Sequence, residues 1–213
     1  MRARHVFTTL LLLLGAACAR TEDSPQRDPA AAPEPAPPLG ESLYALPVAL
    51  TASDGQPMKL DAWRGHPVIA SMFYASCPHA CPLLISDIKA IERDLDPATR
   101  EAVHVLLLTF DPEHDTVEVL RALGEKHQVD TKRWHFVRAS DDDVRSMAAA
   151  LDIKYRKLPG GGYNHSSVIV LLDDGGRPVT RLDGQRQPSD ALRARAQTVA
   201  KGRLAGVKIA TER

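Results

Sequence analysis

Two cysteines, Cys77 and Cys81, stand at the start of an apolar helical pattern in this chain of 213 residues. A strand-like apolar run, residues 68–74, ends at small residues just before Cys77, and apolar positions near helical period follow Cys81. This spacing at a helix entrance places both sulfurs on one face, with Cα atoms about 6 Å apart. Two thiolates so placed bind one metal ion or close a disulfide, and a helix N-terminus favours the thiolate form. The chemistry is therefore metal binding, thiol redox exchange or both.

The third cysteine, Cys18, belongs to an export signal. A basic start is followed by an apolar run at residues 6–14, too short to span a bilayer, and by small residues directly before Cys18. We predict that residues 1–17 are a signal peptide of the lipoprotein type and that Cys18 is acylated. The alternative is an ordinary signal peptide followed by an incidental cysteine. In either case the domain is exported.

The segment after Cys18 differs in composition from the rest of the chain. Residues 18–41 are rich in proline and alanine, a composition that cannot bury a core and that favours an extended tether. Together with an acylated Cys18, it predicts a protein anchored to a membrane and facing the periplasm or another extracytoplasmic space. The globular domain is then residues 42–213.

The charge balance argues against a nucleic-acid partner. Lysine and arginine number 27, aspartate and glutamate also 27, and the net charge is +0. Such a chain has no extended basic field, and the basic residues near the C-terminus fall on a helical pattern typical of a solvated face. The hydrophobic fraction of 44% is enough for a packed core.

The globular domain alternates strand and helix patterns. The predicted elements are a hairpin turning at 54–55, a strand at 68–74, a helix after Cys81, a strand at 103–110, a helix at 115–127, a strand at 134–137, a helix at 140–151, a flexible loop at 157–162, strands at 167–172 and 179–182, and a helix at 189–204. Alternating units imply a parallel core covered by helices, and the late hairpin adds antiparallel strands. We predict an α/β, thioredoxin-like fold with a central mixed sheet flanked by helices and an N-terminal hairpin extension.

At this point the sequence resembles the Sco/SenC family of copper-binding, thioredoxin-like proteins over roughly residues 43–204. The motifs that carry the resemblance are Cys77-x-x-x-Cys81-Pro82, Asp111-Pro112 followed by Asp115-Thr116, and the late His165-Ser166. A cysteine pair alone is weak support, but a histidine some 85 residues later, before an apolar strand and a turn, makes the match specific.

The resemblance implies a copper chaperone that binds one copper ion through Cys77, Cys81 and His165. Cu(I) is soft and prefers thiolates, so two sulfurs and an imidazole suit it, and Cu(II) is the other state to consider. The implied recipient is the copper-bearing subunit of cytochrome c oxidase, at its dinuclear copper site. Because metal capture requires reduced cysteines, a thiol reductase and other copper carriers are further expected partners.

Other functions use the same cysteine pair. Cys77 could attack and Cys81 resolve in a thiol-disulfide oxidoreductase, or the pair could serve a copper or redox sensor. Whether the protein is an enzyme therefore stays open, with a metallochaperone favoured. A purely structural disulfide is the remaining alternative, although so short a loop stabilises by only about 2 kcal/mol.

Two further residues near these motifs each have two interpretations. His79 lies between the cysteines and is either an extra ligand or a solvent-facing loop residue. Asp111 follows an apolar strand and is either a site residue or a turn residue before proline. Four other histidines of the domain have no position relative to the cysteines comparable to that of His165, and they are interpreted as structural: His104, His114, His127 and His135.

Overall fold

The computed structural model of this protein describes residues 40–211, with side chains up to residue 202. The predicted signal peptide, Cys18 and nearly all of the predicted tether lie outside the described residues. Within the described part, no helix is both long and apolar enough to cross a membrane.

The described residues form nine strands and five α-helices. The strands are β1 (Ala49–Ala52), β2 (Pro57–Lys59), β3 (Val68–Phe73), β4 (His104–Thr109), β5 (Trp134–Arg138), β6 (Tyr155–Lys157), β7 (Tyr163–His165), β8 (Val168–Leu172) and β9 (Pro178–Asp183). The helices are α1 (Ala80–Arg93), α2 (Pro97–Ala102), α3 (Val117–Lys126), α4 (Asp141–Ala150) and α5 (Asp190–Thr211), with short 3-10 helices at Leu43–Ala45 and Leu60–Trp63.

Seven of these strands form one mixed sheet in the order β2-β1-β5-β4-β3-β8-β9. Strands β3, β4 and β5 are parallel, whereas β8 pairs antiparallel with β3 and the β1–β2 hairpin joins the sheet through β5. All residues of β3 and β8 are buried, as continuous apolar runs predict for strands covered on both faces. The predicted fold class, including the N-terminal hairpin extension, is confirmed.

Two segments differ from the sequence prediction. No helix was predicted between the one after Cys81 and the strand at 103–110, but helix α2 forms there, because Asp96 caps it by accepting a hydrogen bond from the Thr99 N–H and proline suits the first helical position. The expected flexible loop at 157–162 is the tip of a separate β6–β7 hairpin. Gly161 and Gly162, both at positive φ, allow this tight reversal.

A buried carboxylate fixes helix α1 against the sheet. Glu92, near the end of α1, accepts hydrogen bonds from Arg133 Nη1 at 2.5 Å and from the Trp134 indole N–H at 2.7 Å. A buried charge is tolerated when it is paired and hydrogen-bonded in this way. The pairing ties the helix that carries Cys81 to strand β5.

Three histidines meet at the end of the sheet where the parallel strands begin. His66 precedes β3, His104 opens β4 and His135 is the second residue of β5. His104 Nδ1 and His135 Nε2 are 3.1 Å apart, and the His66 and His104 rings meet edge to face with centroids 4.7 Å apart. This contact between His104 and His135 was not predicted from the sequence, and it lies away from the cysteines. The parallel register places both on one face of the sheet, since Leu106 pairs with His135.

Gly176 offers a test of how the N-terminal segment packs on the domain. Gly176 has φ +79°, and a Cβ there would come within 2.6 Å of the Tyr44 ring, whereas Gly65 at φ +85° has open space around it. We expect Gly65→Ala to lower the free energy of unfolding by about 1–2 kcal/mol through backbone strain alone. Gly176→Ala should cost a further 1–3 kcal/mol or so from overpacking, measured by urea unfolding. Equal losses in the two variants would contradict this packing.

The half-buried imidazole of His135 predicts a pH dependence. Burial lowers the pKa of His135 to about 4, although Asp130 and Asp54 act in the opposite direction. In the unfolded chain the pKa is about 6.5, so the unfolded state takes up the proton first and stability falls as the pH drops from about 6.5 towards 4. We expect this decrease to be on the order of 2 kcal/mol. His135→Gln should remove it in urea unfolding at several pH values, whereas the exposed His79→Gln should keep it.

Candidate metal centre

Cys77, Cys81 and His165 come together at the end of the sheet opposite the three histidines. Each offers one ligand atom, and these atoms all lie within 4.8 Å of one another. Cys77 and Cys81 are buried, His165 is partly buried, and the two cysteines are free thiols. Metal–sulfur bonds of about 2.3 Å in a trigonal site separate the ligand atoms by about 4 Å, so the donor set fits one metal ion.

The two cysteines are held by different elements. Helix α1 begins at Ala80, so Cys81 is its second residue, but Cys77 lies before it in a turn closed by a hydrogen bond from its N–H to the Tyr74 carbonyl. The sequence placed Cys77 at the helix entrance, whereas the helix starts three residues later. The Cys81 N–H donates to Cys77 Sγ at 3.4 Å. One free N–H group of the first turn of α1, that of Cys81, is thus directed at the Cys77 sulfur, as expected at a helix N-terminus.

The thiols differ in acidity because their surroundings differ. Burial alone would raise the pKa of Cys77, but hydrogen bonds from the Cys81 backbone and thiol, the His79 backbone and the Tyr74 hydroxyl together lower it. Burial raises the pKa of Cys81, and the neighbouring Cys77 raises it further. Cys77 is therefore the stronger acid and the first sulfur to become a thiolate.

The His165 ring is oriented by a hydrogen bond to the backbone of the next residue. Its Nδ1 lies 3.1 Å from the Ser166 carbonyl. Because a carbonyl only accepts, Nδ1 carries the proton and the lone pair is on Nε2, the usual arrangement of a metal-ligating histidine. His165 ends β7, immediately before the β8 strand that pairs with β3, and this pairing brings it to the cysteine end of the sheet.

Aromatic rings enclose His165. Phe110 and Tyr74 lie 4.9 Å and 5.9 Å from its ring, measured between centroids, and Tyr163 packs against both of them. Gly162 approaches the Tyr74 hydroxyl closely enough that a Cβ there would lie 3.3 Å from the oxygen. No sequence pattern pointed to this aromatic cluster, although Tyr74 directly follows the β3 strand. The rings limit the positions that the imidazole can adopt.

Asp111 anchors the hairpin that carries His165. Its buried carboxylate accepts hydrogen bonds from the Tyr163 hydroxyl at 3.1 Å and from His114 Nδ1 at 2.9 Å. This favours the site-related interpretation of Asp111 over that of a simple turn residue. It also gives His114 a partner, and the hydrogen bond and charge of Asp111 raise the pKa of His114. His79 is exposed and lies outside the described cluster of donors.

Asp115 fixes the loop that presents Cys77. Its buried carboxylate accepts hydrogen bonds from the Ala75 N–H at 2.9 Å and from the Thr109 hydroxyl. Burial raises the pKa of Asp115, although these two hydrogen bonds lower it in part. Asp115, which lies just before α3, therefore links the loop that follows β3 to the last residue of β4. The sequence showed Asp115 in a motif but not this bridging role.

A family model described as SCO1/SenC matches residues 38–200. This chain belongs to the SCO1/SenC family. A curated relative from Stutzerimonas stutzeri, named "Putative copper-binding protein", is 30% identical over 78 residues, which cover 36% of this chain and 38% of that protein. The chain thus aligns with well under half the length of this relative.

Solved structures agree on the fold of this SCO1/SenC protein. A SCO1/SenC family lipoprotein from Bacillus anthracis is 22% identical with a TM-score of 0.66, over 76% of this chain and 97% of that structure. Yeast Sco1 with copper bound is 19% identical with a TM-score of 0.61, over 78% of this chain and 90% of that structure. An Aquifex aeolicus protein described as a "putative electron transfer protein" is 25% identical with a TM-score of 0.65, over 73% of this chain and 90% of that structure.

The role of Asp115 in this SCO1/SenC protein predicts a graded response to substitution. Asp115→Ala leaves the Ala75 N–H and the Thr109 hydroxyl without their hydrogen-bond acceptor. Each buried donor left unsatisfied lowers the free energy of unfolding by about 1–3 kcal/mol. We expect urea unfolding to show a loss of about 2–4 kcal/mol in this variant. Asp115→Asn keeps an oxygen that accepts both bonds and should lose clearly less. If Asp115→Ala were as stable as the native protein, the bridging role would be wrong.

Proposed function

We propose that this protein is a copper chaperone that carries one Cu(I) ion on Cys77, Cys81 and His165. The observation that carries the proposal is the donor set itself, two buried thiols and one oriented imidazole within 4.8 Å. Soft thiolates select Cu(I), and a low-coordinate site leaves room for a partner's ligand to attack the ion. Family membership and the copper-bound relative support the same metal.

The asymmetry of the thiols suits capture and release. Cys77, with its lowered pKa, is the thiolate that binds first, and Cys81 completes the pair when it loses its proton to the solvent. His165 closes the site from the separate β6–β7 hairpin. Because the third ligand is on the short β6–β7 hairpin, a recipient can displace the imidazole without disturbing the seven-stranded sheet.

We further propose that the recipient is the copper-bearing subunit of cytochrome c oxidase. One solved structure with a TM-score of 0.67 to this chain is described as a member of the Sco family of cytochrome c oxidase assembly proteins. Delivery outside the cytoplasm requires export and an anchor, which the proposed lipidation of Cys18 and the tether to residue 41 supply. A thiol reductase in the same compartment keeps the pair reduced.

A thiol-disulfide oxidoreductase is the second candidate, and one observation favours it. The lowered pKa of Cys77 beside a second buried thiol is the arrangement of an attacking and a resolving cysteine. His165 has no necessary part in that chemistry. The contribution of His165 therefore distinguishes the two functions.

Cu(I) competition against a chromogenic chelator tests the chaperone. We expect the reduced protein to bind one Cu(I), and Cys77→Ala, Cys81→Ala and His165→Ala to weaken binding at least roughly tenfold each. His79→Ala is the matched control, because this histidine lies closest to the cysteines in sequence but outside the donor cluster.

Two outcomes would contradict the proposal. Binding that is insensitive to His165→Ala would remove the three-ligand site, and the disulfide potential of the pair would become the deciding measurement. An equal loss in His79→Ala would show that the donor set is different. A native protein that binds no Cu(I) when reduced would rule out the chaperone.

A further inference from the structure

Two side chains of the β6–β7 hairpin attach it to the rest of the described domain by polar contacts. The hairpin forms a sheet of its own and pairs with none of the strands of the seven-stranded sheet. Lys157 pairs with Glu113 at 3.0 Å, and the Tyr163 hydroxyl donates to Asp111 at 3.1 Å. The Tyr163 backbone also hydrogen-bonds the Tyr74 hydroxyl, a contact that does not depend on the side chain at position 163.

The two side-chain contacts differ in strength because they differ in burial. The Lys157 and Glu113 side chains are 54% and 70% exposed, and exposed ion pairs contribute little to stability. The Asp111 carboxylate is buried, and a hydrogen bond to a charged acceptor is roughly twice as strong as one between neutral groups. The bond from Tyr163 to Asp111 is therefore the stronger attachment.

Asp111 is a fixed point at the cysteine end of the main sheet. The Phe110 N–H donates to the Phe73 carbonyl at 2.9 Å, which continues the β3–β4 pairing by one residue. The Asp111 N–H donates to Thr109 Oγ1 at 3.0 Å. Since Cys77 follows β3, the carboxylate that holds the hairpin stands on the same backbone framework as the cysteine loop.

The Tyr163 hydroxyl controls the position of the His165 ring. The two residues are two positions apart on β7, so their side chains project from the same face. Both rings contact Phe110, with centroids 5.0 Å and 4.9 Å away. A bond that fixes Tyr163 to Asp111 therefore also fixes the imidazole beside the thiols.

We propose that Tyr163 is a positioning residue, and that breaking its hydrogen bond to Asp111 is the step that frees His165 from the metal. This inference deepens the proposed chaperone function and rests on it for the identity of the cargo. The rate of copper release then follows the strength of this bond, whereas the copper affinity follows the three ligands.

Detachment of the hairpin is measurable without metal. An isolated two-stranded hairpin is at best marginally stable in water, so a hairpin that leaves the domain opens its own hydrogen bonds. The Leu158 N–H donates to the Gly162 carbonyl at 3.0 Å, and the Ser166 N–H donates to the Lys154 carbonyl at 2.8 Å. Exchange of these two amide protons with solvent therefore reports detachment.

Two tyrosine variants separate the effect of the hydroxyl from that of the ring. Tyr163→Phe removes only the hydroxyl, and Asp111 keeps the hydrogen bond from His114. Tyr155→Phe is the matched control, because Tyr155 pairs directly with His165 in the hairpin and packs in the same aromatic cluster. Within the described part of the chain, the Tyr155 hydroxyl has no hydrogen-bond partner.

Hydrogen exchange followed by NMR is the first test, on the reduced, metal-free full chain. In Tyr163→Phe we expect the Leu158 and Ser166 amides to exchange at least roughly tenfold faster than in the native protein. The Val105 amide, which lies in the main sheet, should keep its native rate. Native rates at Leu158 and Ser166 in this variant would overturn the proposal, and so would an equal acceleration in Tyr155→Phe.

Copper release is a readout that a merely structural residue would not move. The bond to Asp111 exists with and without copper, so its loss leaves the affinity nearly unchanged but lowers the barrier to departure of the imidazole. Cu(I)-loaded Tyr163→Phe should transfer copper to excess bathocuproine disulfonate at least roughly tenfold faster, with a dissociation constant within about threefold of native. His165→Ala should change both the rate and the dissociation constant.

The two readouts distinguish failure of this inference from failure of the chaperone. A native protein that binds no Cu(I) would contradict the chaperone, whereas the exchange rates would still test Tyr163. Native exchange and native transfer in Tyr163→Phe would contradict the positioning role with the three-ligand site intact. If Tyr163→Phe does not fold, Asp111→Asn replaces it, because a neutral acceptor forms a weaker bond. Exchange at Leu158 and Ser166 should then be faster than native, and native rates would overturn the proposal.

Discussion

The placement of β3 between β4 and β8 is the constraint on which the metal centre depends. Parallel pairing with β4 brings Asp111 and Asp115 beside the end of β3, and antiparallel pairing with β8 brings His165 to the same end. The cysteines follow β3 in the chain. A slip of one residue in the β3–β8 register would turn the apolar side chains of these strands to the opposite faces. Since both faces of these strands are buried, a slip would move each side chain into a differently shaped part of the core, so core packing fixes the register and thereby the positions of Cys77, Cys81 and His165.

The site is rigid on one side and adjustable on the other. The Cys77 loop is held by Asp115, and Cys81 stands on a helix that Glu92 ties to the sheet. His165 belongs instead to the short β6–β7 hairpin, which is held by aromatic packing and by the hydrogen bond from Tyr163 to Asp111. In the proposed copper chaperone, this division would let His165 leave the ion while the two cysteines stay in place.

Opposite ends of one sheet carry donors of different softness. Thiolates gather where β3 ends, and imidazoles gather where β3, β4 and β5 begin. About 17 Å of packed strand separates the two groups. The same parallel register therefore places chemically distinct side chains at the two ends of the sheet.

The sequence by itself determined the local features of this protein, because they depend on residues close together in the chain. The hairpin at Asp54-Gly55 and the buried strands follow from turn chemistry and apolar runs, and Cys77 lies near Cys81 because only three residues separate them in the chain. His165 entered through family resemblance, since no local pattern joins it to the cysteines. Only the tertiary structure decided that Asp115 bridges two strand ends and that His104 meets His135. These contacts arise from strand register, which depends on how distant segments pack together in the core.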